Sequence, residues 1–268
     1  MASASAADAV TAESSRTETS PPWRWRGVGP ALAIVAIGGG LALRLVAPSP
    51  LWLDEALSVN IARLAPADMV DALRHDGHPA LYYLLLGWWM DLFGESDFAV
   101  RALSAVFSLL TVPVLWAITR RHGARLAGAT VLVALTSPYL VRFGTEARMY
   151  ALLALLVALG WLAIDRALER PTGVRLVAVA VVSAALVHTH YWSFWVIGAA
   201  LGILAWTGWV AGRVEPGLRR ACRLVGASVA AGAASFAVWL GVFLDQLGST
   251  GTPWADRARP AEIAVETI

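Results

Sequence analysis

Residues 79–93, "PALYYLLLGWWMDLF", form an apolar segment whose placement decides the topology of the whole chain. As a helix, these 15 residues extend about 22 Å, whereas the hydrocarbon core of a bilayer is about 30 Å thick. Tyr82, Tyr83, Trp88 and Trp89 belong to residue types that favour the membrane–water interface. The segment is therefore predicted to be a juxtamembrane helix that lies along the surface and does not cross.

Longer apolar segments surround this one and set the fold class. Of the 268 residues, 58% are hydrophobic and 15% are charged, which is typical of a polytopic membrane protein. The sequence predicts an all-α, polytopic transmembrane helix bundle with about seven spans. These spans are expected near residues 27–47, 97–119, 126–142, 149–168, 174–190, 192–211 and 224–243.

The arginines indicate the orientation of the bundle. All 21 basic residues are Arg, and many fall in "RWR" (24–26), "TRRHGAR" (119–125), "RALERPTGVR" (166–175) and "GRVEPGLRRACR" (212–223). If residues 79–93 do not cross, these segments share one side, as the positive-inside rule requires of the cytoplasm. Arg-only basic residues and Ala-rich spans suggest a high-GC bacterium, and hence its plasma membrane.

The same topology divides the chain into regions. Residues 1–22 are small, polar and acidic, and residues 1–26 are expected to be a disordered cytoplasmic tail. Residues 27–268 are expected to form one transmembrane module, with a first outer loop at 48–96 that carries juxtamembrane helices. Residues 244–268 would begin a further outer loop.

The outer segments contain the candidate site residues. Polar residues that recur at one membrane face, from separate parts of a chain, indicate a shared site. The candidates are Asp54 and Glu55 as catalytic residues, with His78, Arg142, Glu146, Arg148, Tyr150, His188 and His190 as substrate-binding residues.

Each candidate also has a structural interpretation. Asp54 could cap the helix that "EALSVNIARL" predicts, and Glu55 could be a first-turn acid favoured by the helix dipole. His78 could be an N-cap followed by Pro79 at the first helical position. Arg142 and Arg148 could flank the ends of spans, with Glu146 as a local ion partner. His188 and His190 are spaced to meet on an extended loop, which is a weak metal signal without a third ligand.

The order of the motifs is more specific than any one of them. A first span is followed by "LWLDEALS" (51–58), "HDGHPALYYLLLGWWMDLFGESDFAVRALSAVFSLLTV" (75–112) and "TSPYLVRFGTEARMYALLALL" (136–156). This order resembles the family 39 membrane glycosyltransferases of the GT-C superfold, the protein O-mannosyltransferase-like group. "HTHYW" (188–192) and "GTPWADRARPAEI" (251–263) resemble motifs of actinobacterial members, so the resemblance runs from residue 27 to about 263.

The resemblance implies transfer of a sugar, by default mannose, from a polyprenyl-phosphate carrier to a protein or glycan acceptor. The transfer is an inverting displacement on the extracytoplasmic face. The family's acid aligns with Asp54, which would take the proton of the attacking hydroxyl. Arg148, and secondarily Arg142, would stabilise the leaving phosphate, because a guanidinium binds phosphate oxygens bidentately.

The remaining site residues receive less specific roles from the resemblance. Tyr150 could donate its hydroxyl to phosphate or sugar, and Glu146 could orient Arg148 or contact a sugar hydroxyl. His78, His188 and His190 could bind acceptor, phosphate or a divalent ion. No Asp-x-Asp occurs in the second outer loop, so no obligatory metal is expected, although a divalent ion stays possible.

Two further expectations concern completeness and class. Family members typically continue for several more spans, so the chain is expected to be truncated or to need a partner that supplies them. A non-catalytic polyprenyl-phosphate-sugar-binding or assembly subunit is the alternative function. A transporter is disfavoured because charged or broken mid-membrane helices and inverted repeats are not evident.

The single Cys222 excludes an intrachain disulfide, and no nucleic-acid partner is expected.

Overall fold

A computed structural model describes residues 28–46 and 49–249 of the chain. Within those residues the secondary structure is helical, with no strand, which confirms the predicted all-α class. The predicted cytoplasmic tail and the carboxy-terminal "GTPWADRARPAEI" lie outside the described residues.

Twelve α-helices follow one another in the described part of the chain. They are α1 (Val28–Leu45), α2 (Leu53–Ala62), α3 (Pro66–Leu73), α4 (Leu81–Phe93), α5 (Asp97–Thr119), α6 (Ala124–Thr136), α7 (Pro138–Gly144), α8 (Tyr150–Glu169), α9 (Gly173–Thr189), α10 (Ser193–Val210), α11 (Pro216–Ala234) and α12 (Leu240–Ser249). Short 3-10 turns follow α5, α10 and α11.

All seven predicted spans correspond to helices, but fewer have the full length of a span. By length and composition, four described helical segments could cross a membrane, or five if the bent pair α6–α7 counts as one. The four are Asp97–His122, Tyr150–Glu169, Ser193–Val210 and Pro216–Gly248. The other two predicted spans contain the shorter apolar helices Ile34–Leu45 and Gly173–Thr189. The protein is therefore a multi-pass membrane protein.

The break between α6 and α7 is held by a buried arginine from α1. Pro138 begins α7, and the two helices meet at a bend of 54°. Arg44 donates to the carbonyls of Ala134 and Leu135 at the end of α6, each at 2.8 Å, and to Ser108 Oγ of α5 at 2.8 Å. Since the last carbonyls of a helix have no partner within it, the guanidinium satisfies groups that would be orphaned in an apolar bundle.

Close helix contacts bring the remaining spans together. Gly40 of α1 allows this approach, because a Cβ there would lie 2.5 Å from the Leu135 carbonyl oxygen. Gly232 of α11 does the same against α9, where a Cβ would clash with the Ala180 carbonyl oxygen. Small residues at such crossings are characteristic of membrane helices, which gain stability from close packing.

The turns of the bundle fall at two chemically different ends. We call the end with the turns near residues 119–125, 166–175 and 211–223 the basic end. There Arg121 forms ion pairs with Asp165 and Glu169, which joins two of these turns. The other end, with the α1–α5 connection and the segments at 145–150 and 190–192, is called the polar end. The 13-residue α4 packs at the polar end against α2, α5 and α9, and it is not among the candidate spans.

We predict that the segment before α4 and the end of α4 both face the outside of the cell. In a variant without Cys222, an impermeant maleimide should label Asp68→Cys and Asp91→Cys in intact cells, because α4 is too short to cross. Thr172→Cys at the basic end should be labelled only after permeabilisation. Labelling of residues 68 and 91 from opposite sides would show that α4 spans the membrane.

Candidate active site

A buried ion pair joins the three segments that build the polar end. Glu55 of α2 has 0% exposure, and its carboxylate accepts from Arg101 of α5 at 2.9 Å (Nε to Oε1) and 2.6 Å (Nη2 to Oε2). The Ala147 N–H donates to Oε1 at 2.8 Å, and the Trp52 N–H donates to Oε2 at 3.2 Å. Arg101 also donates to the carbonyls of Ser49 and Pro50, so it fixes the chain entering α2.

This arrangement keeps Glu55 ionised and makes it a poor catalytic base. Burial alone raises the pKa of the Glu55 carboxyl, but the hydrogen bonds from Arg101, Ala147 and Trp52 outweigh burial and lower that pKa below its ordinary value. Both carboxylate oxygens are occupied and none of the residue is exposed. The geometry therefore favours a structural role for Glu55 over the predicted catalytic one.

Asp54 lies beside this pair but faces solvent. It is the second residue of α2, whose N-cap is Trp52, so the interpretation of Asp54 as the helix cap is wrong. Its side chain is 43% exposed, and its Oδ2 lies 3.8 Å from Arg148 Nη2. Asp54 thus presents an accessible carboxylate next to a cation, with its backbone fixed by the adjacent Glu55.

Arg148 is almost fully buried and incompletely satisfied. It is 5% exposed, and the closest acceptors of Nη1 are the Asp54 carbonyl and Ser58 Oγ, both at 3.4 Å. Among the described residues, the buried Nε has no hydrogen-bond partner. The guanidinium carbon lies 5.9 Å from the centre of the Tyr150 ring. A buried cation with an unused donor is costly unless another group completes its hydrogen bonds.

A second carboxylate, Asp76, holds His78 next to this cation. Asp76 accepts from the Tyr83 hydroxyl and from His78 Nδ1, the latter at 3.3 Å. Burial raises the pKa of Asp76, but these two hydrogen bonds and the charges of His78 and Arg148 lower it overall. Helix α4 has Ala80 as N-cap and begins at Leu81, so the interpretation of His78 as an N-cap is wrong.

His190 completes a ring cluster with His78 and Tyr150. Its ring centre lies 5.4 Å from that of His78 and 5.9 Å from that of Tyr150. Burial, and then the charges of His78 and Arg148, lower the pKa of His190 to about 4, so the ring is neutral near pH 7. Because the Trp192 N–H donates to His190 Nδ1 at 3.1 Å, the ring proton resides on Nε2 and is available as a donor.

The loop that carries Asp76 and His78 is clamped by α12. The Gln246 side-chain amide donates to the carbonyls of Leu73 and His78, and Gln246 Oε1 accepts from the Tyr191 hydroxyl. Arg74 forms an ion pair with the neighbouring Asp245. The segments around His78 and His190 are thus held by one helix.

Three predicted site residues have side-chain partners outside this cluster. His188 is in the last turn of α9 and its Nε2 lies 3.2 Å from Ser235 Oγ, so the expected meeting of His188 and His190 on an extended loop is wrong. Arg142 is exposed and pairs with Glu146 at 2.8 Å. Glu146 therefore contacts Arg142, and the hypothesis that it orients Arg148 receives no support.

The site also contains residues that sequence reasoning missed. They are Arg101, Asp76, Tyr83 and Ser58. An arginine four residues into a predicted span, in "DFAVRALS" (97–104), was a usable signal for Arg101, because a charge there needs a partner. In the described part of the chain, no three His, Cys, Asp or Glu side chains converge as a metal site would require.

Comparison with known proteins identifies one family. A family model described as Dolichyl-phosphate-mannose-protein mannosyltransferase matches residues 77–239, more than half of the 268 residues. The matched range includes His78, Arg148, Tyr150 and His190, and begins after Asp54 and Glu55. Neither a curated protein nor a solved structure matches the chain.

We predict that the Glu55–Arg101 pair stabilises the polar end. Arg101→Leu leaves a buried carboxylate without its cation and should lower the free energy of unfolding by about 3–5 kcal/mol, seen as a lower melting temperature in detergent. Arg63→Leu, which breaks the exposed Arg63–Glu95 pair, should cost at most about 1 kcal/mol. Glu55→Leu combined with Arg101→Leu should be less destabilised than Arg101→Leu alone. Equal melting temperatures for Arg101→Leu and Arg63→Leu would contradict this role.

Proposed function

The chain belongs to the dolichyl-phosphate-mannose-protein mannosyltransferase family, and on that premise we propose a specific reaction. The protein transfers mannose from a polyprenyl-phosphate carrier to a hydroxyl of a protein or glycan acceptor. The reaction takes place at the polar end, on the extracytoplasmic face of a bacterial plasma membrane. The arginine turns at the basic end support this orientation.

The observation that carries the proposal is the unsatisfied donor on buried Arg148. Its Nε has no partner among the described residues, and the contacts of its terminal nitrogens with Asp54 and Ser58 are 3.4–3.8 Å long. Two oxygens of a phosphate can accept from a guanidinium in a planar, bidentate arrangement. The phosphate of a polyprenyl-linked sugar would therefore complete the hydrogen bonding of Arg148.

Asp54 is the proposed general base. Its carboxylate is exposed beside Arg148, so an acceptor hydroxyl can reach it while the donor phosphate contacts the guanidinium. The hydroxyl oxygen attacks the anomeric carbon as Asp54 takes its proton. The bond from that carbon to the phosphate oxygen breaks, and its electron pair leaves with the polyprenyl phosphate. The configuration at the anomeric carbon is inverted, and Arg148 stabilises the charge on the leaving group.

The histidine pair suits a role in sugar or phosphate recognition. His190 offers a neutral Nε2–H donor, and His78 is oriented through its Nδ1 by Asp76. The Tyr150 ring centre lies 5.9 Å from both the His190 ring centre and the Arg148 guanidinium carbon, so its hydroxyl is available to a ligand held by either residue. We assign Glu55 and Arg101 a positioning role, since they fix the chain next to Asp54 and Arg148.

An apolar groove beside Tyr150 suits the polyprenyl tail. It has a volume of about 620 Å³ and lies between α5, α7 and α8. Leu115, Ile118, Leu153 and Trp161 line it together with Tyr150. A lipid whose phosphate contacts Arg148 could therefore continue into this groove without leaving the hydrocarbon region. The groove thus offers an apolar site for the lipid tail, and Arg148 offers a cationic site for the phosphate of the same donor.

The first test of the proposal is Asp54→Asn. The variant keeps the size of the side chain but removes the base, so turnover of polyprenyl-phosphate-[14C]mannose should fall by roughly a hundredfold or more. Binding of the donor should persist, as measured by retention of labelled lipid on the purified protein. Asp68→Asn, at an exposed acid of α3, is the matched control and should behave as the unmodified chain. Equal loss of turnover and binding would indicate a structural role for Asp54.

The second test is Arg148→Lys. Lysine keeps the charge but cannot form the bidentate contact, so kcat/KM for the donor should fall roughly tenfold or more. Arg63→Lys, at an exposed arginine after α2, should leave donor kinetics unchanged. If Arg148→Lys uses the donor as well as the unmodified chain does, the phosphate does not bind at Arg148. Donor binding without transfer by the unmodified chain would favour the non-catalytic subunit.

A further inference from the structure

A second groove lies between α10 and α11, far from the polar end. It has a volume of about 440 Å³, within the range of specific ligand sites. Helix α10 contributes Leu201, Leu204, Gly208 and Trp209, and α11 contributes Arg219, Arg223 and Gly226. Both sets recur at helical spacing, so each forms one continuous face. We call this feature the α10–α11 groove.

The charges of the groove are concentrated at the basic end. Arg219 and Arg223 are one turn apart near the start of α11, and both side chains are exposed. In residues 28–46 and 49–249, neither guanidinium forms an ion pair or a hydrogen bond. Among the described residues no acidic side chain lines the groove, and the Glu215 carboxylate in the adjoining turn forms no ion pair with either arginine. The mouth of the groove is therefore cationic.

The apolar part of the groove extends from this mouth towards the membrane interior. Leu201, Leu204 and Gly226 lie deeper along the two helices than Arg219 and Trp209. Trp209 lies at the level of the arginines, and tryptophan is typical of the headgroup region. Arg213 stacks on the Trp209 ring at 4.6 Å, which adds a third cation near the mouth.

We propose that the α10–α11 groove binds one anionic glycerophospholipid of the cytoplasmic leaflet. The headgroup phosphate contacts Arg219 and Arg223, and one acyl chain lies along Leu204 and Gly226. Basic pockets between transmembrane helices on the cytoplasmic side are suited to anionic lipid headgroups. Such a lipid would differ from the sugar donor in both leaflet and binding residues, so this site does not depend on the proposed transferase reaction.

Native mass spectrometry of the full chain tests this site. The protein, in a neutral detergent, is titrated with phosphatidylglycerol and separately with phosphatidylcholine of the same acyl chains. We expect one phosphatidylglycerol to bind more tightly than phosphatidylcholine. Arg219→Gln combined with Arg223→Gln should weaken phosphatidylglycerol binding roughly thirtyfold, because both arginines contribute about equally to the attraction of the anionic headgroup. Phosphatidylcholine binding should change little.

Two further variants keep the test specific. Arg220→Gln removes a neighbouring arginine that does not line the groove, and it should bind phosphatidylglycerol as the unmodified chain does. Gly226→Leu fills the groove, because a Cβ at Gly226 meets nothing within 4 Å, and it should weaken binding while all arginines remain.

Three outcomes would overturn the proposal. Equal affinity for the two lipids in the unmodified chain would mean that the groove selects no anionic headgroup. An equal loss of phosphatidylglycerol affinity in Arg220→Gln and in the Arg219, Arg223 double variant would mean that binding depends on the total charge and not on the two arginines of the groove. A dimer that depends on Arg219 and Gly226 would make the groove a contact between two copies of the chain.

Discussion

The buried pair of Glu55 and Arg101 is the constraint on which the polar end depends. Its hydrogen bonds reach the chain before α2, the start of α2, α5 and the segment that contains Ala147. This network positions Asp54 and Arg148, because Asp54 is the immediate sequence neighbour of Glu55 and Arg148 is the immediate sequence neighbour of Ala147. A buried ion pair is often no more stabilising than a well-packed apolar pair, so its value here is geometric. It fixes two candidate site residues, Asp54 and Arg148, that lie far apart in the sequence.

The membrane explains why this network is built from side-chain groups on helices. In lipid, backbone groups must be satisfied internally, so helical segments are favoured and every break needs a donor or acceptor from elsewhere. The break between α6 and α7 receives Arg44, and the segments around residues 49–50 and 147 receive Arg101 and Glu55. Irregular backbone is thus concentrated at the polar end and near it, where charged side chains complete its hydrogen bonds.

The sequence was sufficient for features that depend on local pattern. The apolar runs predicted seven spans, and each of them corresponds to a helix in the structure. The short length of residues 79–93 distinguished α4 from the helices that could span the membrane. It was insufficient where partners are distant, since Glu55 bonds residues 46 and 92 positions away. Spacing also misled at His188 and His190, because α9 continues through Thr189 and directs the two rings to different neighbours. Asp76 was missed because its role depends on Tyr83 and Arg148, which the fold brings to it.

Two buried arginines, Arg44 and Arg148, differ in how completely their hydrogen-bond donors are used, and this difference distinguishes a structural arginine from a candidate ligand-binding one. Arg44 is 2% exposed and Arg148 is 5% exposed, so burial does not distinguish them. Every nitrogen of Arg44 donates at 2.7–2.8 Å to a fixed acceptor, so four of the five N–H donors of its guanidinium are used within the bundle. Arg148 contacts Asp54 and Ser58 at 3.4–3.8 Å and retains an unused Nε donor near the exposed carboxylate of Asp54. Because an unsatisfied buried cation is costly, this difference between the two arginines is the reason for proposing an anionic ligand at Arg148 and not at Arg44.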